Sequence, residues 1–435
     1  MSRDDLKAQL LAKARHRPRQ APAASVGTPR APGASQVPER FTRFDTHPGS
    51  QQIAMMREGA RRLGLTDPFF KVHEGIAGAT SRIDGRECLN FASYNYLGLS
   101  GDPRVGQAAC DAVDRYGTSV SASRVVSGER PIHAELERAI ATAYEVEDAV
   151  AFVSGHATNV STLGYLMGPK DLILHDAYIH NSSLVGAQLS GAKRIPFAHN
   201  DAEALDALLT RHRGQFERVL IVIEGLYSMD GDVPDLPRFI DIKRRHQAWL
   251  MVDEAHSFGV LGRRGLGLRE HFDVPPGDVD IWMGTLSKAL AGCGGYIAGC
   301  REMVETLRYL APGFLYSVGL PAQVAAPSLA ALQLMQQEPE RVEQLHDISR
   351  YFLEQARARG FDTGHSLGAA VVPIIVGSSP LAARLSHELF ERGINVQPIL
   401  HPAVPEKSAR LRFFLSCEHT REQVDKTLEA LSDCL

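Results

Sequence analysis

A chain of 435 residues, 44% hydrophobic and with 38 glycines, can hold a large core, two domains and many tight turns. Its net charge of −4 gives no electrostatic reason to bind nucleic acid or an anionic membrane, and no apolar run reaches the ~18–20 residues of a membrane span. Six cysteines, at 88, 110, 293, 300, 417 and 434, include no C-x-x-C pair; scattered thiols of this kind predict a reducing, cytoplasmic setting without zinc.

Residues 1–48 are compositionally separate, and no signal peptide is expected among them. The run Ser2-Arg-Asp-Asp-Leu-Lys-Ala-Gln-Leu-Leu-Ala-Lys-Ala-Arg15 predicts a short amphipathic helix with acids in its first turn. Residues 17–39 pass through Pro, Ala, Ser and Gly, a composition that cannot bury enough apolar surface to order itself. The expectation is a flexible extension. A sharper hypothesis makes it a docking helix on a tether, catching a carrier-protein or synthase partner; Asp4 and Asp5 oppose a mitochondrial transit peptide.

Residues 50–63 read as a helix that Gly64 can end. Residues 67–74 and 79–85 read as a strand and hairpin leading to a strand over 88–93. In Tyr94-Asn95-Tyr96-Leu-Gly-Leu99 the Asn-x-x-Gly spacing is ordinary turn chemistry. Residues 115–128 form a small-residue loop ahead of a helix whose first turn accepts Pro131. Such loops let backbone approach a ligand or a partner subunit.

Asp148-Ala-Val-Ala-Phe-Val-Ser154 predicts a strand, and Gly155-His156-Ala-Thr-Asn159 the start of a helix, a geometry whose free N–H groups receive phosphate. Residues 171–181 carry a strand into a loop with His175 and His180, between which the residues alone do not choose. Arg218-Val-Leu-Ile-Val-Ile-Glu224 is a buried strand ended by a turn holding Ser228, and residues 236–246 follow as a helix. In Ala248-Trp-Leu-Met-Val-Asp253-Glu-Ala-His256 the apolar run predicts a strand buried on both faces. Asp253 and His256 then stand at its carboxyl edge, where open α/β sheets bind ligands. By itself Asp-x-x-His is equally a metal pair or a capped helix start.

Another apolar run, Asp280-Ile-Trp-Met-Gly-Thr-Leu-Ser-Lys288, ends in one lysine and turns glycine-rich. An ammonium there is costly unless paired or chemically used, and lysine amines form Schiff bases with carbonyl cofactors. A pyridinium nitrogen needs a carboxylate partner, which Asp253 can supply. Together, Asp253-x-x-His256 and Thr285-x-x-Lys288 point to pyridoxal phosphate (PLP). Strands alternating with helices over 148–300 predict a mostly parallel, doubly covered sheet. A long helix near 321–358 leads to strands over 370–376, 394–397 and 411–416. Arg410 and Arg412 share a face of the last strand if it is regular, and their spacing does not separate them.

On these motifs, and on the run from Pro402 to Arg412, the chain resembles the α-oxoamine synthase family of PLP enzymes from about residue 67 to its C-terminus. That family includes aminooxononanoate synthase, 2-amino-3-ketobutyrate ligase, 5-aminolevulinate synthase and serine palmitoyltransferase. The resemblance implies an α/β, aminotransferase-like fold of type I. Its expected parts are an extension over 1–48, an N-terminal segment of the small-domain side over 49–105, a large PLP domain over 106–330 and a smaller α+β domain over 331–435. It assigns Lys288 to hold PLP and move protons, Asp253 to the ring nitrogen, His180 to ring stacking, and His256 and Ser228 to the ring oxygen. Gly155, His156 and Thr285 would hold phosphate, and Asn95 and Arg412 the substrate carboxylate. The implied reaction is a decarboxylative condensation of an α-amino acid (serine, alanine or glycine) with an acyl thioester, from coenzyme A or a carrier protein, in a cytoplasmic homodimer. A PLP aminotransferase and a non-catalytic partner subunit are the alternatives. The Tyr94-Asn95-Tyr96 wording resembles serine palmitoyltransferases, whereas Val318 and Gly319 depart from the Ser/Thr residues with which relatives reach a neighbouring subunit's phosphate.

Overall fold

The computed structural model describes residues 37–62, 64 and 68–435, and its chain divides into two compact units, residues 1–64 and 65–435. In the first, the helix Pro48–Arg62 opens on a proline that suits a first turn. Glu58 pairs with Arg61 and Arg62 near its end, and Gly64 takes the left-handed φ of 67° that commonly closes a helix. The helix expected over 2–15 and most of the Pro/Ala-rich run lie outside the described residues.

The second unit begins with three short strands, β1 (His73–Glu74), β2 (Thr80–Ile83) and β3 (Arg86–Asn90). Ile83 faces Arg86 across a two-residue turn in which Asp84 and Gly85 both have positive φ, 49° and 76°. That is the Asp-Gly chemistry that favours hairpins.

A seven-stranded sheet follows, built from β4 (Asp148–Phe152), β5 (Leu172–Asp176), β6 (Lys193–Phe197), β7 (Val219–Glu224), β8 (Trp249–Asp253), β9 (Ile281–Thr285) and β10 (Gly295–Gly299) in the order β4-β10-β9-β8-β7-β5-β6. Strands β5 to β9 pair in parallel, while β10 runs antiparallel to both neighbours. The link from β9 to β10 is too short for the crossover that a parallel strand needs. All six residues of β7 are buried, as expected where helices cover both faces. Alternate side chains enter two separate cores. Val219, Ile221 and Ile223 join the larger cluster with Leu250 and Val252, and Leu220 and Val222 join the smaller with Met251, Ile281 and Met283. The helices Gly155–Leu166 and Arg301–Leu310 supply Leu163, Val304 and Leu307 to that smaller core.

Beyond the large sheet lie β11 (Val371–Ile375), β12 (Ile394–Asn395), β13 (Gln397–Ile399) and β14 (Arg410–Phe414). The strand expected over 394–397 is two strands. β12 adds in parallel to β3, whereas β13 joins β14 and β11 in an antiparallel three-stranded sheet, so the chain changes sheets at Val396. The single helix expected near 321–358 is also divided, into Ala322–Gln337 and Glu340–Ala358. Pro339 disfavours helical geometry in the residue before it, and Glu338 has ψ 65°. Within the expected loop over 115–128, residues Arg124–Gly128 wind into a π-helical turn around a buried Arg124 that pairs with Glu129 and Glu137. A Cβ at Gly128 would lie 2.2 Å from the Ala122 carbonyl oxygen.

The upper end of the sheet is tied by His199, which hydrogen-bonds Asp176 and Asp232 at 2.9 Å each. Burial opposes its charge, but the bonds to Asp176 and Asp232 carry its pKa up to about 10 from 6.5. A pKa raised on folding stabilises fully below the unfolded value and is lost as pH rises through the folded one. Melting temperature is therefore expected to fall between pH 7 and 10, with a flatter slope in His199→Gln; equal slopes in the two proteins would refute this contribution. Among the described residues no helix is long and apolar enough to cross a membrane.

Candidate active site

Parallel pairing decides what meets at the carboxyl edge of the sheet. Glu224 of β7 is in register with Asp253 of β8, and Asp253 with Met283 of β9. Residues in register on parallel strands point the same way, here to the face carrying the smaller core. Above that core lies a cavity of about 210 Å³ whose wall takes Glu224, Asp253, Met283, Thr285 and Lys288 from the sheet side. The starts of the helices Gly155–Leu166 and Asn181–Leu189 add Gly155, His156, Asn159 and Ser182, with His180 just before them. Eight of the expected site residues line this one cavity: Lys288, His180, Asp253, His256, Ser228, Thr285, Gly155 and His156.

Asp253 is buried and held at both oxygens. Its Oδ1 accepts from the Ala255 N–H at 3.0 Å and its Oδ2 from Asn159 Nδ2 at 2.8 Å. Asn159 Nδ2 also donates to Ser182 Oγ at 2.9 Å, and Ser182 Oγ lies 2.7 Å from His180 Nδ1. Because the Ser182 N–H also donates to His180 Nδ1 at 3.2 Å, that nitrogen is an acceptor and Nε2 carries the ring proton. A relay thus runs from the carboxylate to the imidazole through two residues, Asn159 and Ser182, to which the sequence reading gave no role. Their signal was faint: Asn159 stands one helical turn after Gly155, on its face.

His256 is buried and bonded through Nδ1 to the Tyr96 hydroxyl at 2.8 Å, with its ring 13° from parallel to Phe414. Burial, then the charges of Lys288 and Arg412, push its pKa well below 6.5, so it is a neutral imidazole. Lys288 Nζ lies 5.6 Å from the Tyr94 ring centre. Desolvation pulls its amine down to about 8 against the raising charges of Asp253 and Glu224. About a tenth of it is neutral at pH 7, against roughly three parts in ten thousand for an ordinary lysine.

The turn after β9 is fixed by its own hydroxyls. Thr285 Oγ1 donates to the Gly294 carbonyl at 2.8 Å, and Ser287 Oγ accepts the Gly294 N–H at 3.1 Å. Ser154 caps the neighbouring helix through the Ala157 N–H, leaving those of Gly155 and His156 at its open end. A Cβ at Gly295 would stand 2.7 Å from Gly155 Cα, so a glycine there is what lets this helix start reach the sheet. The His156 side chain is exposed.

Tertiary structure separates the two arginines of β14. Arg410 is paired with Asp230 at 2.6 Å and donates to the Met229 carbonyl. Arg412 forms no ion pair among the described residues; it donates to the Ser228 carbonyl at 3.0 Å, and its Nε has no partner. It lies outside the cavity lining, but its charge reaches Lys288, His256 and His180. Asn95 is elsewhere engaged. Its Nδ2 donates to the Ala77 carbonyl at 3.1 Å and its Oδ1 accepts the Ser100 N–H at 3.1 Å, while Tyr94 beside it approaches Lys288 and packs edge-on to Phe414.

The set fits PLP on several independent counts. It has an amine with a lowered pKa, a doubly held carboxylate, a helix start brought close by Gly295, and a cation without a counter-ion among the described residues. No cluster of three or more His, Cys, Asp or Glu among the described residues is arranged to hold a metal ion.

Comparison with known proteins agrees. The family described as aminotransferase class I and II matches residues 86–431. Over 374 residues the chain is 40% identical to an 8-amino-7-oxononanoate synthase of Symbiobacterium thermophilum, covering 86% of this chain and 95% of the relative. Serine palmitoyltransferase of Sphingomonas wittichii superposes with a TM-score of 0.85 at 30% identity, over 89% of this chain and 97% of that one. A serine palmitoyltransferase solved with PLP gives 0.84 at 28% identity, over 88% and 96%. The chain belongs to the aminotransferase class I and II family and, within it, to the α-oxoamine synthases, PLP-dependent acyltransferases.

Proposed function

We propose that this protein joins an α-amino acid to an acyl thioester, releasing carbon dioxide and free thiol and leaving an α-aminoketone. The observation that carries this reading is a reactive amine and a held carboxylate in one cavity, beside an arginine without a counter-ion. Bound PLP supplies an electron sink for the carbanion at the amino acid's α-carbon. Lys288 holds the cofactor and moves the proton at that carbon, for which a pKa near the working pH is the favourable value. Asp253 supplies the negative charge for the ring nitrogen, kept in place by Asn159 and the Ala255 N–H. His180 orients the ring, and Ser228 and neutral His256 serve its oxygen. Phosphate falls to the N–H groups of Gly155 and His156 and to Thr285, and the substrate carboxylate to the fork of Arg412. Asn95 helps to hold that carboxylate, its Nδ2 keeping a second N–H beyond the one given to the Ala77 carbonyl.

A homodimer would give partners to exposed apolar side chains such as Val126, Tyr309, Leu310 and Tyr316. Six free cysteines fit the cytoplasm, and docking of an acyl-carrying partner by residues 1–48 is the sharper hypothesis beside the favoured reading of a tail. Thiol and carbon dioxide are to be measured across amino acids and acyl thioesters, with serine, alanine and glycine against coenzyme A and carrier-protein donors. Both products only when a donor is present support the synthase; a keto acid formed without donor would make it an aminotransferase. Unchanged turnover with the best donor after deletion of residues 1–45 would dispose of the docking role.

A further inference from the structure

Glu224 is the one acidic group of the cavity wall, among the described residues, that the reaction above leaves unused. It ends the fully buried β7, it is 3% exposed, and it lies beside Asp253 in register. Its Oε2 accepts the Ser228 N–H at 3.2 Å, and its Oε1 is buried at the cavity with no partner among the described residues. A carboxyl at the end of an apolar strand, half satisfied and facing a ligand site, is expensive unless that site completes it.

We propose that Glu224 is a second, neutral carboxylic acid of the cavity, carrying its proton on Oε1 and donating it as a hydrogen bond to an anionic oxygen of the bound ligand. Two buried carboxyls on one face of adjacent strands do not both ionise cheaply. The charge settles on Asp253, which accepts from two N–H donors, while Glu224 has one. The proton then belongs on the oxygen that accepts nothing. Burial, followed by the charges of Asp253 and Asp176, raises the Glu224 pKa well above 4.5 against the Ser228 N–H and Lys288. Two oxygens share the required chemistry: the ring hydroxyl oxygen of PLP and the carboxylate of the amino acid.

The assignment of the ligand rests on the PLP reading, whereas the protonation does not. Infrared spectra of cofactor-free protein at neutral pH are expected to show a protonated-carboxyl band that disappears in Glu224→Gln and persists in Glu254→Gln, the control for a second buried glutamate, which burial raises to about 7. The band should move to lower frequency when PLP binds. The same shift with PLP but not with its 3-deoxy analogue assigns the ring oxygen, and a shift only on adding amino acid assigns the carboxylate. Glu224→Gln, which keeps an N–H donor, should bind PLP within about threefold of the parent, and Glu224→Leu at least about tenfold more weakly. Absence of the band, its loss by ionisation when ligand binds, or full affinity in Glu224→Leu would overturn the proposal. If Glu224→Gln does not fold, carboxyl-labelled glutamate in the Glu254→Gln background reads the same band. A band present in protein that takes up no PLP would sink the cofactor reading instead.

Discussion

Lys288→Ala is expected to be folded, to retain no PLP through borohydride reduction and denaturation, and to be slower in condensation by about a thousandfold or more. Proton transfer by a placed side chain contributes about 10²- to 10⁴-fold, and the same amine is the point of covalent attachment. Folding is not at risk. Desolvation holds this amine at about 8 rather than 10.5, so burying its charged form costs stability below pH 8. For a depressed lysine that cost is removed as pH climbs from the folded to the unfolded value. Cofactor-free wild type should therefore gain melting temperature relative to Lys288→Ala between about pH 8 and 10.5. Cofactor retained after borohydride reduction and denaturation, turnover, and the two melting curves decide the matter. A variant that still carries PLP through that treatment would remove Lys288 from its role.

Asp253→Asn tests the other half of the site, with an expected loss of about 10²- to 10³-fold, the scale of removing one preorganised electrostatic partner. The substitution keeps the shape but not the hydrogen bonding. Both Asp253 oxygens accept from N–H donors, Asn159 Nδ2 and the Ala255 N–H. Whichever way an asparagine amide turns, its NH₂ faces a donor in a buried place, which costs about 1–3 kcal/mol. Melting temperature should drop accordingly. Asp253 also raises the Lys288 pKa, so the variant's cofactor loading should become pH-independent at lower pH than in the parent. Wild-type turnover in Asp253→Asn would show that the ring nitrogen needs no charge from it.

Much of this site can be read from one dimension because strands declare themselves locally. An apolar run such as Trp249–Asp253 or Ile281–Thr285 states where a buried strand ends, and in a parallel sheet the ends collect at one edge. Asp253, Thr285, Lys288 and Gly155 therefore followed from their places relative to such runs, and the glycines from the close approach they permit. His180 is different, because nothing local distinguishes it from His175; its choice rested on resemblance. The seventh strand order also escaped, since β10 reverses for want of a long crossover and no residue pattern records its direction.

By itself, then, the sequence determined the buried strands that end at the site, the lysine after one and the acid after another, since each depends on hydrophobic period and chain position alone. Only the folded chain decided partners. Asn159 reaches Asp253 across 94 residues, Arg410 finds Asp230 across 180 while Arg412 forms no ion pair among the described residues, and Glu224 stands beside Asp253 because two strands align. The reason is physical: burial is encoded by composition near each residue, whereas a hydrogen bond is fixed by whichever distant element the packing brings within about 3 Å.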